Sequence, residues 1–91
     1  MPRMVSKDEF MAAAEALWGE LQYQDNLPRR TDDEAKEPAA FATLGRRYMR
    51  KLEDHWADQP GPVVEDCLHD MRKLAAVFVR GMIYCGIRSR S

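Results

Sequence analysis

The stretch VVEDCLHDMRKLAAVFVRGMIYCGI, Val63 to Ile87, decides how this chain folds. Its first half places polar and apolar residues at helical spacing and reads as an amphipathic helix. From Ala75 onward it is apolar on almost every side, with Arg80 its one charge. A helix that is apolar all round has to be covered all round. A chain of 91 residues has little left over to do this. The reading is a third helix over about 62–86 whose second half forms a seam between subunits, centred on Ala75, Phe78, Val79, Met82 and Ile83. A homodimer is the first expectation.

One polar stripe runs along this helix: Asp66, His69/Asp70, Lys73, Arg80 and Tyr84. Its plain reading is a solvent edge. Its sharper reading is a polar cleft in which Arg80 receives an anion or a partner carboxylate. An arginine among Val79, Met82 and Ile83 is costly unless its head reaches water or an acid. Glu15 or Glu20, on the first helix, is the expected acid.

Working back from Val63, Gln59-Pro60-Gly61-Pro62 is the clearest break in the chain. Pro62 suits the first helical position, and Glu65 and Asp66 suit the positive end of the dipole. Upstream, Phe41, Leu44, Tyr48, Leu52 and then His55 or Trp56 mark a second helix over about 38–58. Pro38 either starts this helix or kinks a longer one that begins at Asp32. The first of these leaves 32–37 as a short extra turn behind a capping-box sequence, Thr31-Asp32-Asp33-Glu34. The first helix, about 7–24, opens with Ser6 and Glu9 as a capping box and Val5 and Phe10 as a hydrophobic staple. Phe10, Ala14, Leu17 and Leu21 form its stripe, widened by Ala13 and Trp18. Its Ala-rich face is expected to pack against Ala75 and Gly81. Nothing alternates with period two over strand length. The expectation is a single all-α domain over 1–91: a three-helix bundle with a short extra turn, oligomeric through the C-terminal helix.

Composition narrows the function classes. Fourteen basic residues stand against fifteen acidic ones, so no global pull toward nucleic acid or anionic lipid is implied. The balance is uneven: residues 1–40 hold nine acids and five bases, residues 41–91 six acids and nine bases. Such a dipolar chain favours self-association, weakly and under salt screening. Cys67 and Cys85 lie eighteen residues apart on one helix, about 27 Å of rise and beyond disulfide reach. Both read as small core residues, in keeping with a reducing cytoplasm. The start MPRMVSKDEF lacks the apolar core of a signal peptide. The longest apolar stretch is interrupted by Arg80 and too short to span a bilayer. A soluble cytoplasmic protein is expected.

Chemistry-bearing patterns are sparse. Asp66-x-x-His69 is half of a dimetal motif, and His55 has Leu52 where the acid would stand. There is no zinc-like Cys/His cluster, no Gly-rich phosphate loop and no serine or cysteine beside a histidine in sequence. No metal, cofactor or catalytic residue is expected. Glu15 and Glu20, with Asp66 and Asp70, faintly resemble the paired acids of MazG-like nucleotide pyrophosphohydrolases, which hold magnesium on two helices. Glu15 and Glu20 are five apart and do not share a helix face, and magnesium needs several convergent oxygens. That family is the enzyme alternative.

The most suggestive surface is basic. Arg46 and Arg50, and Arg47 and Lys51, stack at i,i+4, with Arg29 and Arg30 on the preceding loop. Like charges at that spacing cost a few tenths of a kcal/mol in an isolated helix. Either the face is solvated and balanced by Glu53, Asp54 and Asp58, with Arg50–Asp54 a favourable pair, or it docks on an acidic protein or on phosphates. A nucleic-acid-binding regulator is the less favoured form, since the charge is near neutral and no helix-turn-helix signature is present. Arg80 joins these six as a partner-binding candidate.

The segments LPRRTDDEAK, residues 27–36, and DMRKLAAVFVRGMIY, residues 70–84, resemble parts of short accessory proteins encoded by tailed bacteriophages. The resemblance implies a small host-takeover or anti-defence protein that binds and blocks a larger protein partner. It carries no site residues.

Overall fold

The computed structural model describes residues 3–28, 37–59 and 65–90. They form three helices, α1 (Lys7–Asp25), α2 (Pro38–Asp58) and α3 (Glu65–Cys85), and no strand among the described residues. The fold is all-α. The expected turn at 32–37, the capping sequence at 31–34 and the entry to α3 at 62–64 lie outside the described residues, apart from Glu37.

Local chemistry sets the helix ends. The Glu9 N–H donates to Ser6 Oγ at 3.1 Å and the Ser6 N–H donates to Glu9 Oε1 at 3.0 Å, so the capping box is closed. Such caps contribute about 0.5–2 kcal/mol. The Ser6 backbone N–H, its hydroxyl and Arg3 together hold the Glu9 carboxyl below its ordinary range. The staple, by contrast, does not form a buried contact: Val5 and Phe10 are 70% and 59% exposed. Glu37 is extended, as a residue before proline should be, and Pro38 is the first residue of α2. Pro38 therefore starts the helix and kinks nothing. Gly86 ends α3 with a positive φ of 129°, its N–H bonded to the Met82 carbonyl at 2.9 Å.

The third helix is the central element. It packs against α2 on one side and α1 on the other, while α1 and α2 do not pack on each other. Phe41 meets Gly81, Gly45 meets Leu74 and Phe78, and His55 meets Asp70, so α2 runs antiparallel to α3. Glu20 meets Arg72 and Asp25 meets Arg80, so α1 runs parallel to it. Two glycines let α2 and α3 approach closely. A Cβ at Gly45 would sit 2.8 Å from Phe78 Cζ, and one at Gly81 would sit 3.1 Å from Phe41 Cγ. The Phe41 ring then stands edge-on to Tyr84, centroids 6.0 Å apart.

The core is small. Among the described residues, Phe41, Cys67, Ala76 and Val77 are its buried apolar members, and no large side chain is fully covered. The Cα radius of gyration is 14.7 Å, against about 12 Å for a compact domain of this length.

Several sequence expectations need correction. On α1, Phe10 and Trp18 face solvent and Leu17 and Leu21 are half-buried; the buried residue is Glu20. The polar joints from α1 to α3 run from Glu20 to Asp25, and the first turns of α1, through Ala13, are exposed. Gly81 meets Phe41 of α2, so the Ala-rich face of α1 does not rest there. Trp56 is half exposed, and His55 is the residue of that turn that faces α3. Cys85 is exposed, unlike Cys67. In the expected seam, Phe78, Met82 and Ile83 are 47%, 50% and 55% exposed, with Ala75 and Val79 half-buried. No helix among the described residues is long and apolar enough to cross a membrane.

Candidate functional site

Three polar groupings stand out, and each begins as a polar residue placed on an otherwise apolar helix stripe. The first joins α1 to α3. Glu20, 6% exposed at its side chain, accepts from Arg72 Nε at 2.8 Å and from Gln24 Nε2 at 2.9 Å. Arg72 also donates to His69 Nδ1 at 2.6 Å, which leaves the His69 proton on Nε2, toward Glu65. Two turns further on, Arg80 pairs with Asp25 at 3.0 Å and donates to Tyr84 Oη, Gln24 Oε1 and the Leu21 carbonyl. Burial opposes the charge on Arg80, but Tyr84 and Asp25 outweigh it and raise its pKa further.

This arrangement explains why Arg80 is tolerated among apolar neighbours. The last turn of α1 carries no basic residue of its own. Arg80 brings a cation to that negative helix end from a different helix. Its acid is Asp25, not Glu15 or Glu20 as the sequence suggested. Glu20 lies opposite Arg72, eight residues and about 12 Å earlier along α3. Arg80 is turned inward, 14% exposed at its side chain, and offers little to an outside partner. The polar stripe of α3 is no simple solvent edge either, because Asp70 is buried and Lys73, Arg80 and Tyr84 are half-buried.

The second grouping ties α2 to α3. His55 Nδ1 lies 2.5 Å from Asp70 Oδ2, whose side chain is 4% exposed. The hydrogen bond to Asp70 raises the His55 pKa, helped by the charges of Asp70, Asp66 and Asp58 against a desolvation cost. Beside it, the Cys67 thiol points to the Leu52 carbonyl at 3.7 Å. Burial first, then Asp70 and Asp66, push that thiol's pKa up, so it stays protonated. A histidine oriented by a carboxylate is a part of catalytic triads; here the neighbouring thiol is buried and held in its protonated form.

The third grouping is the outer face of α2. Arg46, Arg47, Arg50 and Lys51 are exposed, and none is paired with a carboxylate among the described residues. The Arg50–Asp54 pair expected from the spacing is not made. Lys51 stands 5.6 Å from the Tyr48 ring centroid. Arg29 and Arg30 lie outside the described residues.

Because α1 and α2 do not touch, a cleft of about 230 Å³ opens between them. Its floor is the Lys73–Val77–Arg80 stripe of α3, and its walls are Tyr23, Gln24 and Leu27 on one side and Phe41, Leu44 and Tyr48 on the other. A shallower depression of about 590 Å³ continues it along α1, past Gly19 and Ala16. Among the described residues, no three His, Cys, Asp or Glu side chains converge as metal ligands. Of the four acids in the hydrolase resemblance, Glu20 is held by Arg72, Asp70 by His55, and Glu15 and Asp66 are exposed.

Sequence reasoning missed the Glu20–Arg72 and His55–Asp70 pairs. The signal was present: Glu20 sits beside Leu17 and Leu21, and Asp70 sits three residues from Cys67 and four from Leu74. An acid on an apolar stripe needs a partner across the helix interface. In comparisons with known proteins, no family model matches this chain, and neither a curated protein nor a solved structure matches it.

Proposed function

We propose that this chain is a non-enzymatic protein-binding module, acting as a homodimer, whose basic α2 face docks on an acidic surface of a larger partner. The observation that carries this reading is the row of Arg46, Arg47, Arg50 and Lys51, exposed and without carboxylate partners among the described residues. Internal acids close to them in sequence, Glu53, Asp54 and Asp58, leave them uncompensated. Cations held this way on a rigid helix favour association with complementary charge. The homodimer is supported by the half-exposed Phe78, Met82 and Ile83 beside so small a core. A role in blocking a bacterial host protein, in the cytoplasm, is the form suggested by the likeness to phage accessory proteins.

The test is the triple reversal R46E/R47E/R50E. These side chains are exposed, so helical content should be unchanged by circular dichroism. Capture of the partner from bacterial lysate should fall at least about tenfold, with the loss largest at low salt. Equal capture by wild type and variant would sink the proposed surface. Duplex DNA probes the nucleic-acid reading: a gel shift weakening steeply with salt would favour it over a protein partner.

A further inference from the structure

We propose that the cleft between α1 and α2 binds a small amphipathic monocarboxylate, its carboxylate on Lys73 and its apolar body against Leu27, Phe41, Leu44 and Val77. The inference starts from a charge account of the cleft. Two of its three charged residues are already neutralised, Glu20 by Arg72 at 2.8 Å and Arg80 by Asp25 at 3.0 Å. Lys73 alone has no hydrogen-bond or ion-pair partner among the described residues. It is half-buried on the cleft floor, one turn from buried Val77. A partly desolvated ammonium gains most from a carboxylate that reaches it in the same dry setting. One uncompensated positive charge selects a monoanion.

The rest of the cleft selects the ligand's body. Leu27 and Leu44, 44% and 40% exposed, line the cleft together with Phe41 and Val77. Tyr23 and Tyr48 add aromatic surface from opposite walls. Inorganic phosphate would leave these side chains bare, and a neutral hydrocarbon would leave Lys73 unpaired. The cleft's volume, about 230 Å³, lies below the roughly 300–1,000 Å³ of pockets that take drug-sized ligands. A nucleotide carries more negative charge than the single ammonium of Lys73 can match. The site borders the basic α2 face at Tyr48 but uses none of its four cations, so its failure leaves the docking reading intact.

The probe is 3-phenylpropionate, with 3-phenylpropan-1-ol as its neutral match, titrated into the labelled full chain and followed by amide NMR shifts. The expected result is saturable shifts centred on Leu44, Lys73 and Val77. The alcohol should bind at least about tenfold more weakly, the worth of one charge-assisted hydrogen bond. Lys73→Gln should bring the acid down to the level of the alcohol, while Lys7→Gln, on the exposed first turn of α1, changes nothing. If Lys73→Gln does not fold, the acid–alcohol comparison on the native chain decides by itself. Equal binding of acid and alcohol, shifts centred elsewhere, or no shift at millimolar probe would each overturn the proposal.

Discussion

Replacing Glu20 by glutamine should loosen α1 from α3. The helix rests on α3 through half-buried Leu17 and Leu21 and two polar joints, of which Glu20–Arg72 is the more enclosed. Glu20 is 6% exposed at its side chain and Arg72 33%, so the pair lies between surface and interior. Exposed pairs contribute about 0–1 kcal/mol, whereas breaking a fully buried pair costs about 3–5 kcal/mol. Glutamine keeps one acceptor for Arg72 but leaves the guanidinium without a counter-charge, which sets the cost at about 1–2 kcal/mol. For a domain of this size that lowers Tm by roughly 5–15 °C. The assay is thermal unfolding by far-UV circular dichroism of wild type, Glu20→Gln, Arg72→Met and the double variant. The double variant should be little worse than either single one, giving a coupling of about 1 kcal/mol or more. A Glu20→Gln variant within about 0.5 kcal/mol of wild type, or an additive cycle, would refute the idea that this pair anchors α1.

Other consequences are equally direct. Gly19→Ala places a methyl where nothing lies within 4 Å, so helix propensity alone should act and stabilise by up to about 1 kcal/mol. Gly81→Ala gains the same propensity but presses on the Phe41 ring at 3.1 Å; it should be neutral or destabilising in the same denaturation assay, and a gain equal to that of Gly19→Ala would contradict the close α2–α3 approach. The raised His55 pKa means that the folded chain binds this proton more tightly than the unfolded chain, whose value is near 6.5. The charged part of the His55–Asp70 interaction is then fully present below that value and is lost as pH rises through the higher folded-state one. The stability difference between wild type and His55→Gln should shrink from pH 5.5 to pH 8.5, and a pH-independent difference would count against the pairing.

What the sequence made legible was whatever depends on neighbours along one helix. The Ser6–Glu9 capping box, the start at Pro38 and the stop at Gly86 are all local decisions between residues a few positions apart. The three helices followed from periodicity for the same reason. What periodicity could not supply was the partner of each stripe. It placed Phe10 and Trp18 on the inner face of α1 without showing that the polar joints to α3 run from Glu20 to Asp25. It read Asp70 as a solvent-edge residue because nothing in α3 reveals that His55, fifteen positions earlier, lies opposite. It aimed Arg80 at a glutamate because the register between α1 and α3 is set by packing across more than fifty residues. The basic row at Arg46, Arg47 and Arg50 was visible in sequence, but its lack of carboxylate partners among the described residues was not.

In the proposed homodimer, a second copy of the chain covers the outer surface of α3. Sedimentation velocity across the micromolar range tests it most directly. Wild type should sediment as a species of twice the 10.5 kDa chain mass. Met82→Glu/Ile83→Glu, at two half-exposed positions, should convert it to a monomer with its helical content intact. A wild-type chain that sediments as a 10.5 kDa monomer at every concentration would contradict the account.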